Sequence, residues 1–310
     1  MSKLALLRPV VQLAILAIAF LAQPCHAAGI ALIKSYDFEP YNVAIAGFIG
    51  SCGNGIIEYN LHDESGAQSD LIQTIRNSKP DVVFAIGVLA AEFAQQEFDD
   101  LPILFAMVPR LRADELSGTN IAGITLDIPV DQQLRVYASM VSGLTSLGVI
   151  YDPEKSGDIV AEARAAAAEM GMTLHTREVG SRKEVPSAMR ALLKEEKIEV
   201  LWMIPDETVV TPDSFKFLLI QSFEHNLPFL AASDIFVKVG ALASITPDYT
   251  DVGRQSCEMA NAMNSGNLNL AIVNIVEPAK FNLSINLKTA RKIGLSISND
   301  ILESADVVYR

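Results

Sequence analysis

Short runs of almost purely apolar residues recur along this chain, and each is followed by a stretch whose apolar positions have helical spacing. The clearest run, at residues 81–86, reads DVVFAI and is apolar after its first residue. A strand of this kind is buried on both faces, as parallel strands covered by helices are. Residues 103–107 and 147–151 repeat the pattern. The alternation therefore predicts an α/β protein with parallel sheets and right-handed crossover connections.

Capping residues mark where several of these elements begin and end. Thr211 followed by Pro212 is typical of a helix N-cap with proline at the first helical position. Ser181 and Glu184 have the spacing of a capping box, and Gly294 indicates the end of a short basic helix. Strands are predicted at residues 30–34, 56–61, 81–86, 103–107, 147–151, 173–178, 200–204, 229–232 and 241–245, and helices at 39–49, 68–77, 156–170 and 212–225, with others starting near 90, 184 and 250.

The N-terminal residues have the pattern of a secretory signal peptide. Lys3 and Arg8 precede an apolar run at residues 10–22, and small residues follow at positions 27 and 28. A basic segment, an apolar segment of about 7–15 residues and a small-residue cleavage site define such signals. We therefore predict a signal peptide at residues 1–28 and a periplasmic or otherwise extracytoplasmic location. Lipidation of Cys25 is the weaker alternative, because Gln23-Pro24 before it is a poor lipoprotein box.

Length and charge narrow the possibilities further. The 310 residues exceed the usual single core of about 100–200 residues, so two lobes are expected, the second beginning near Asp127. The net charge is −13. An acidic surface argues against nucleic acid and anionic membranes as partners, because these carry the same sign of charge.

Two cysteines, Cys52 and Cys257, remain after the predicted cleavage. An oxidising compartment permits a disulfide between them. Connectivity does not follow from sequence, however. Two free, half-buried thiols are the favoured expectation, and a disulfide is the alternative.

Motifs for catalysis, metals or phosphates are missing from the sequence. The four histidines lack metal-ligand spacing. The glycine-rich stretch at residues 47–55 follows a predicted helix and matches neither a dinucleotide fingerprint nor a phosphate loop. The nucleophile motif G-x-S-x-G does not occur. We therefore expect no enzymatic activity, no cofactor and no metal.

Six short loops that follow predicted strands form the candidate ligand site. Ligands of open α/β sheets bind at the carboxyl ends of strands, where helix N-termini present free N–H groups. Each loop residue alone is typical of an ordinary turn or cap, so the functional prediction rests on the convergence of six loops. The candidate ligand-binding residues are Ser35, Tyr36, Gly87, Val88, Leu89, Ala90, Met107, Val108, Asp152, Asp206, Thr208, Ser233 and Asp234.

Six stretches of the chain resemble one protein family in their order and spacing. They lie at residues 79–91, 102–105, 148–153, 227–229, 239–260 and 286–308. The first, for example, is similar to a K-P-D strand followed by G-T-x-A-A, and residues 148–153 resemble G-V-L-Y-D-P. The family is that of ABC transporter substrate-binding proteins of the tryptophan and phenylalanine type.

The resemblance implies a type I periplasmic-binding fold. In this fold two Rossmann-like lobes with parallel sheets are joined by a multi-strand hinge, because the chain crosses between the lobes three times. On that pattern residues 29–126 and about 247–280 form the first lobe, and residues 127–246 and about 281–310 form the second. The helix after Asp248 and a strand at residues 271–275 then belong to the first lobe.

The resemblance also implies a function. The protein is expected to capture a small molecule between its lobes and to deliver it to an ABC permease in the membrane, acting as a monomer. The expected ligand classes are amino acids, nucleosides and small organic acids. The alternative is a ligand-sensing or scaffold module of a membrane signalling system that uses the same fold.

Two departures from the family's motifs bear on the ligand. Val88 replaces a hydroxyl residue that could hold a ligand carboxylate, and Val108-Pro109-Arg110 replaces D-P and introduces a cation. The ligand therefore need not be an aromatic amino acid. Asp206 is the first candidate to pair with a ligand ammonium or hydroxyl, with capping of the following turn as the alternative. The backbone of residues 87–90 is expected to receive an anionic or polar group.

Overall fold

The computed structural model describes residues 29–61, 68–268 and 275–310. The predicted signal peptide and residues 271–274 of the predicted strand lie outside this part of the chain. The first stretch of elements is β1 (Ile30–Lys34), α1 (Glu39–Cys52), β2 (Ile56–Asn60), α2 (Gln68–Asn77), β3 (Val82–Ile86), α3 (Val88–Glu97), β4 (Ile103–Val108), α4 (Arg110–Ala113) and β5 (Ile121–Thr125).

The chain then continues through a second alternating stretch. Its elements are α5 (Val130–Met140), β6 (Ser146–Tyr151), α6 (Pro153–Glu169), β7 (Thr173–Glu178), α7 (Val185–Ala191), a π-turn at Leu192–Glu196, β8 (Val200–Trp202), α8 (Pro212–Glu224), β9 (Phe229–Ala231), α9 (Asp234–Lys238) and β10 (Ala243–Pro247). The last elements are α10 (Tyr249–Asn264), β11 (Ile275–Val276), β12 (Phe281–Asn286), α11 (Leu287–Lys292), α12 (Asn299–Ser304) and β13 (Val307–Tyr309). None of the helices in these described segments is long and apolar enough to cross a membrane.

The strands form two sheets, which confirms the predicted α/β class with mostly parallel strands. The first sheet has the order β11-β5-β4-β3-β1-β2, and the second has the order β13-β12-β10-β9-β8-β6-β7. One pairing departs from the prediction, because β10 and β12 run antiparallel. The chain passes between the sheets three times, after β5, after β10 and after β11.

Apolar side chains cover both faces of each sheet. Phe84 and Leu104 belong to a cluster on one face of the first sheet, and Phe105 belongs to the cluster on the other face. In the second sheet Trp202 and Phe229 belong to two different clusters in the same way. This burial on both sides explains why β3, β4, β8 and β9 lack polar residues.

Helices α1 and α10 pack directly on each other, and a disulfide joins them. A Cβ atom at Gly47 would overlap the Thr250 carbonyl, and one at Gly253 would overlap the Ala44 carbonyl, so the two backbones touch. This approach brings the Cα atoms of Cys52 and Cys257 to 5.5 Å, where they form a disulfide. The prediction of two free thiols is therefore wrong. The sequence could not reveal the pairing, because 205 positions separate the cysteines.

Most predicted boundaries agree with the observed ones to within a few residues, and two helices differ in a way that matters locally. The helix predicted to start near residue 184 is α-helical only as far as Ala191 and continues as the π-turn. The helix predicted at 156–170 begins at Pro153 and has a kink at Ser156, where φ is −140° and ψ is 22°. The kink lies beside a network of buried carboxylates.

Candidate functional site

The strand order of each sheet creates a switch point at its carboxyl edge. In the first sheet β1 lies between β2 and β3, and in the second β6 lies between β7 and β8. Ligands of open α/β sheets bind outside the carboxyl ends of strands at such points. We call the loops after β1 and β3 the first crevice (residues 35–37 and 87–90) and the loops after β6 and β8 the second crevice (residues 152–156 and 205–209).

Ser35 joins the two loops of the first crevice. Its hydroxyl donates to the Ile86 carbonyl at 3.0 Å and accepts from the Ala90 N–H at 3.0 Å. Gly87 has a φ of +85°, and a Cβ there would lie 2.5 Å from the Tyr41 hydroxyl and 2.7 Å from Ser35 Oγ. Only glycine fits this position, because both the backbone conformation and the available space exclude a side chain.

The amino end of α3 opens onto the first crevice. Its N-cap, Gly87, has no side chain to satisfy the first N–H groups of the helix. The N–H groups of Val88 and Leu89 have no intrahelical acceptor and no other partner among the described residues. The helix dipole adds partial positive charge here. The backbone alone can therefore bind an anionic or polar group, although Val88 offers no side-chain donor.

Three aromatic rings border the first crevice. Tyr36 and Phe38 are exposed, whereas Tyr41 is buried beneath them. The ring centroids of Tyr36 and Phe38 lie 5.3 and 5.2 Å from that of Tyr41. Burial and then the neighbouring Tyr36 hydroxyl raise the pKa of Tyr41 above its ordinary value. The cluster therefore exposes the rings of Tyr36 and Phe38 to solvent, and both rings pack on the buried ring of Tyr41.

The loop after β4 holds two of the predicted ligand-binding residues in the interior. Met107 lies in a β-bulge with a φ of +61°, and the side chains of Met107 and Val108 are both buried. The Arg110 side chain donates to Asp114 at 3.1 Å and lies 3.9 Å from Glu277, just after β11. Arg110, the cation that the family motif lacks, is therefore paired with nearby acidic residues.

The second crevice contains a network of buried carboxylates. Asp206 Oδ1 accepts from the N–H groups of Thr208 and Val209 at 2.9 and 3.0 Å. Its Oδ2 accepts from the Asp152 N–H at 2.7 Å and from the Ser156 hydroxyl. The Thr208 hydroxyl donates to Asp152 Oδ2 at 2.7 Å, which links the two loops a second time.

These contacts define what Asp206 does in the fold. The side chain is only 3% exposed, and both of its oxygens are occupied by donors from the protein. Asp152 is likewise buried, and its Oδ1 caps α6 by accepting from the Glu154 N–H at 3.0 Å. The contacts of Asp206 therefore correspond to the capping alternative, and ligand pairing by this carboxylate remains untested.

The loop after β9 lies beside the segment that leaves the second sheet. Ser244 pairs with Ala231 in the parallel β9–β10 register, so Ser233 and Asp234 emerge next to the end of β10 and the following Tyr249. Ser233 precedes α9 without capping it through its side chain. Asp234 is exposed and has no hydrogen-bond or ion-pair partner among the described residues.

Large apolar side chains stand exposed at the carboxyl edges of both sheets. Tyr36 after β1 is 40% exposed, Leu89 after β3 is 54% exposed, and Ile235 after β9 is 67% exposed. These three side chains give the candidate site an apolar lining on both sheets.

The structure thus divides the thirteen predicted residues into groups. Ser35, Gly87 and Ala90 meet in the first crevice, and Asp152, Asp206 and Thr208 meet in the second. Tyr36, Leu89 and Asp234 are the exposed members, Val88 and Ser233 are half-buried, and Met107 and Val108 are interior. Tyr41 and Tyr249 were missed by sequence reasoning. The spacing of Tyr36, Phe38 and Tyr41 around a strand end is the signal that would have found Tyr41. No group of three or more His, Cys, Asp and Glu residues is placed to hold a metal in the described segments.

Comparison with known sequences identifies relatives of the chain. The model of a family described as ABC transporter substrate binding protein matches residues 52–309. A tyrosine-binding protein of Clostridioides difficile (strain R20291) is 24% identical over 212 residues, which cover 64% of this chain. The match spans 60% of that relative's length.

Solved structures share the fold. A substrate-binding protein with adhesive properties from Clostridium difficile, in a ligand-free open form, has a TM-score of 0.76 at 20% identity, covering 91% of this chain and 99% of that one. The ABC domain from Streptococcus pneumonia in complex with L-Trp has a TM-score of 0.62 at 22% identity, with the same coverage. At these identities the likeness concerns the fold.

Proposed function

The chain belongs to the ABC transporter substrate-binding protein family, and we propose that it binds an amino acid between the loops of its two sheets and delivers it to an ABC permease. The observation that carries the proposal is the exposure of Tyr36, Leu89 and Ile235 at the carboxyl edges of the strands. Exposed apolar patches of soluble proteins mark binding grooves or interfaces. A ligand with an apolar side chain, enclosed between the sheets, removes these side chains from water.

The amino end of α3 supports an acidic group on the same ligand. The free N–H groups of Val88 and Leu89 and the helix dipole favour a carboxylate. Ser35 and Tyr41 hold the loop so that these N–H groups stay at the crevice. A carboxylate at one end and an apolar body at the other are the features of an apolar amino acid. The tyrosine-binding relative and the L-Trp complex bind ligands of this class.

The proposal includes export and closure of two lobes. The signal peptide at residues 1–28 directs the chain out of the cytoplasm, and the Cys52–Cys257 disulfide suits an oxidising compartment. The lobes comprise residues 29–126 with about 247–280, and residues 127–246 with about 281–310. They close on the ligand by bending at the three crossing segments, and the protein acts as a monomer.

A binding screen on the exported protein tests the ligand class. Calorimetry and thermal melting are run with the twenty amino acids, with nucleosides and small organic acids as comparison ligands. A bound ligand at about 100-fold over its dissociation constant raises the free energy of unfolding by roughly 2.7 kcal/mol. We expect apolar amino acids to give this shift. The proposal fails if only nucleosides or organic acids bind, or if nothing does.

Serine variants locate the site. Leu89→Ser and Ile235→Ser should weaken binding, because each removes apolar contact with the ligand. Ile220→Ser is the matched control, since Ile220 is similarly exposed on α8, away from the strand ends. Equal affinities in all three variants contradict the proposed location. Uptake of the ligand by the permease in proteoliposomes tests delivery, and binding without stimulated uptake favours the sensing alternative.

A further inference from the structure

A cavity of about 240 Å³ lies at the amino edge of the second sheet. Its lining includes Phe223, Lys238, Asn286, Lys288, Thr289 and Lys292. Asn286 ends β12, which runs antiparallel to β10, and its N–H donates to the Leu242 carbonyl at 2.8 Å, just before β10 begins. The second crevice lies at the carboxyl edge of the same sheet. The cavity and the proposed amino-acid site are therefore at opposite edges.

Three exposed lysine side chains line this cavity without a counter-charge. Lys238 lies in the last turn of α9, and Lys288 and Lys292 belong to α11. None of the three has an ion pair with a carboxylate of the described residues, and this includes Asp234, which lies four positions before Lys238 on α9. The chain as a whole has a net charge of −13. Like charges repel, so the three ammonium groups form a local site that an anion would stabilise.

The buried part of the lining is a fixed polar surface. Asn286 is only 6% exposed; its Oδ1 accepts from the Thr289 N–H at 3.0 Å, and its Nδ2 donates to the Val237 carbonyl at 2.8 Å. The Thr289 hydroxyl donates to the Gly240 carbonyl at 2.9 Å. An amide NH₂ group has two hydrogens to donate. The second hydrogen of Asn286 Nδ2 has no acceptor within the described part of the chain, so a buried donor is left unused in the cavity.

An aromatic ring orients one of the three lysines. The Nζ atom of Lys292 lies 3.7 Å from the centroid of the Phe223 ring, a distance typical of a cation–π contact. Phe223 itself lines the cavity. The contact therefore holds the ammonium group at the cavity before any ligand binds, which lowers the entropy lost on binding.

This lining has the chemistry of a site for a multivalent oxyanion. Ammonium groups and an amide N–H are donors, and among the described residues no carboxylate lines the cavity. A phosphate group offers strong acceptor oxygens and up to two negative charges. The volume is many times the roughly 10–15 Å³ that one water needs. We propose that the cavity binds a phosphate group through Lys238, Lys288, Lys292 and the Asn286 amide. The net charge of −13 favours a free phosphate or a small phosphorylated molecule over the headgroup of an anionic membrane.

A titration with inorganic phosphate tests the site. Phosphate is added to ¹⁵N-labelled exported protein, and sodium chloride at the same ionic strength is the comparison. We expect saturable shifts of the amide signals at residues 238–240 and 286–292 with phosphate alone. The double variant Lys288→Gln/Lys292→Gln should weaken phosphate binding by about tenfold or more. Lys216→Gln is the matched control and should leave binding unchanged, because Lys216 is an exposed lysine of α8 that does not line the cavity.

A second arm distinguishes the two sources of a phosphate group. Vesicles of phosphatidylcholine, with and without phosphatidylglycerol, are sedimented with the protein. Binding to the anionic vesicles that the double variant loses, without saturable binding of inorganic phosphate, would assign the same site to a lipid headgroup.

The inference is overturned if neither probe binds the parent, if chloride produces the same shifts, or if the double variant binds both probes as well as the parent does. Circular dichroism checks that the double variant is folded. Its affinity for amino acids should equal that of the parent, because the two sites lie at opposite edges of the sheet. The phosphate site and the proposed function can therefore fail independently.

Discussion

Replacement of Asp206 by asparagine tests how the second crevice is held together. The carboxylate accepts hydrogen bonds from the N–H groups of Thr208, Val209 and Asp152 and from the Ser156 hydroxyl. An asparagine side chain of the same shape has one oxygen acceptor and one NH₂ donor. In either orientation of the amide, groups that donated to one carboxylate oxygen now face another donor.

The cost depends on which donors lose their acceptor. The Ser156 hydroxyl can rotate and accept from the new NH₂ group, whereas a backbone N–H cannot. The amide oxygen is therefore expected to face Thr208 and Val209, and the buried Asp152 N–H is left without an acceptor, at a cost of about 1–3 kcal/mol. The remaining bonds lose their charge assistance, which roughly halves their strength. Removal of a buried charge offsets part of this loss.

We expect Asp206→Asn to lower the free energy of unfolding by about 2–4 kcal/mol and the melting temperature by several degrees. Urea unfolding followed by circular dichroism measures the first quantity. Hydrogen exchange should locate the loss, with faster exchange at the amides of Asp152, Thr208 and Val209. Asp213→Asn is the control, because Asp213 is an exposed residue in the first turn of α8. The reasoning is refuted if Asp206→Asn is within about 0.5 kcal/mol of this control.

Three further outcomes follow from the geometry. Thiol counting on denatured, unreduced exported protein should find Cys52 and Cys257 unreactive, and two reactive thiols would contradict the disulfide. Replacing both cysteines by serine should lower the free energy of unfolding by about 4–5 kcal/mol, because the crosslink closes a long loop. Gly87→Ala should destabilise the fold by about 1–3 kcal/mol, because an alanine is strained at this φ. The same variant should lose ligand binding in calorimetry, and retained affinity would show that the first crevice is not the site. The Arg254 guanidinium holds the pKa of Asp251 below its ordinary value of 3.8. The folded state therefore binds this proton less readily than the unfolded state, and the free energy of unfolding falls as the pH drops below about 4. Asp251→Asn should flatten this decline in urea titrations, and an equally steep decline in the variant would count against the ion pair.

Local patterns predicted the elements of the fold well, because the forces that decide them are local. The apolar run at β3 is wholly buried, and the N-cap at Thr211 accepts from the Ser214 N–H as its sequence indicates. The left-handed Gly294 follows the short basic helix α11 as predicted. Each of these features depends on residues within a few positions of one another.

The roles of the site residues depended on partners far away in sequence. The sequence could not show that the Asp206 carboxylate accepts from the Asp152 N–H and the Ser156 hydroxyl, because these donors lie about fifty residues earlier. The disulfide depended on the contact between Gly47 and Gly253, where two backbones meet. The position of Tyr249 beside the loop after β9 depends on the register of β9 and β10. Such pairings have no signature within a single stretch of sequence.

The distribution of hydrogen bonds also indicates where the proposed closure takes place. Ser35 fixes the loops of the first crevice to each other, and Asp206 fixes those of the second, so each crevice is rigid within its own sheet. Ligand-driven movement must then occur in the crossing segments. There Arg110 of the first sheet's layer connects two of them, since its N–H donates to Asp127 and its guanidinium lies 3.9 Å from Glu277. Burial raises the pKa of both carboxylates, so two partly desolvated acidic groups lie in the segments where the proposed closure would bend the chain.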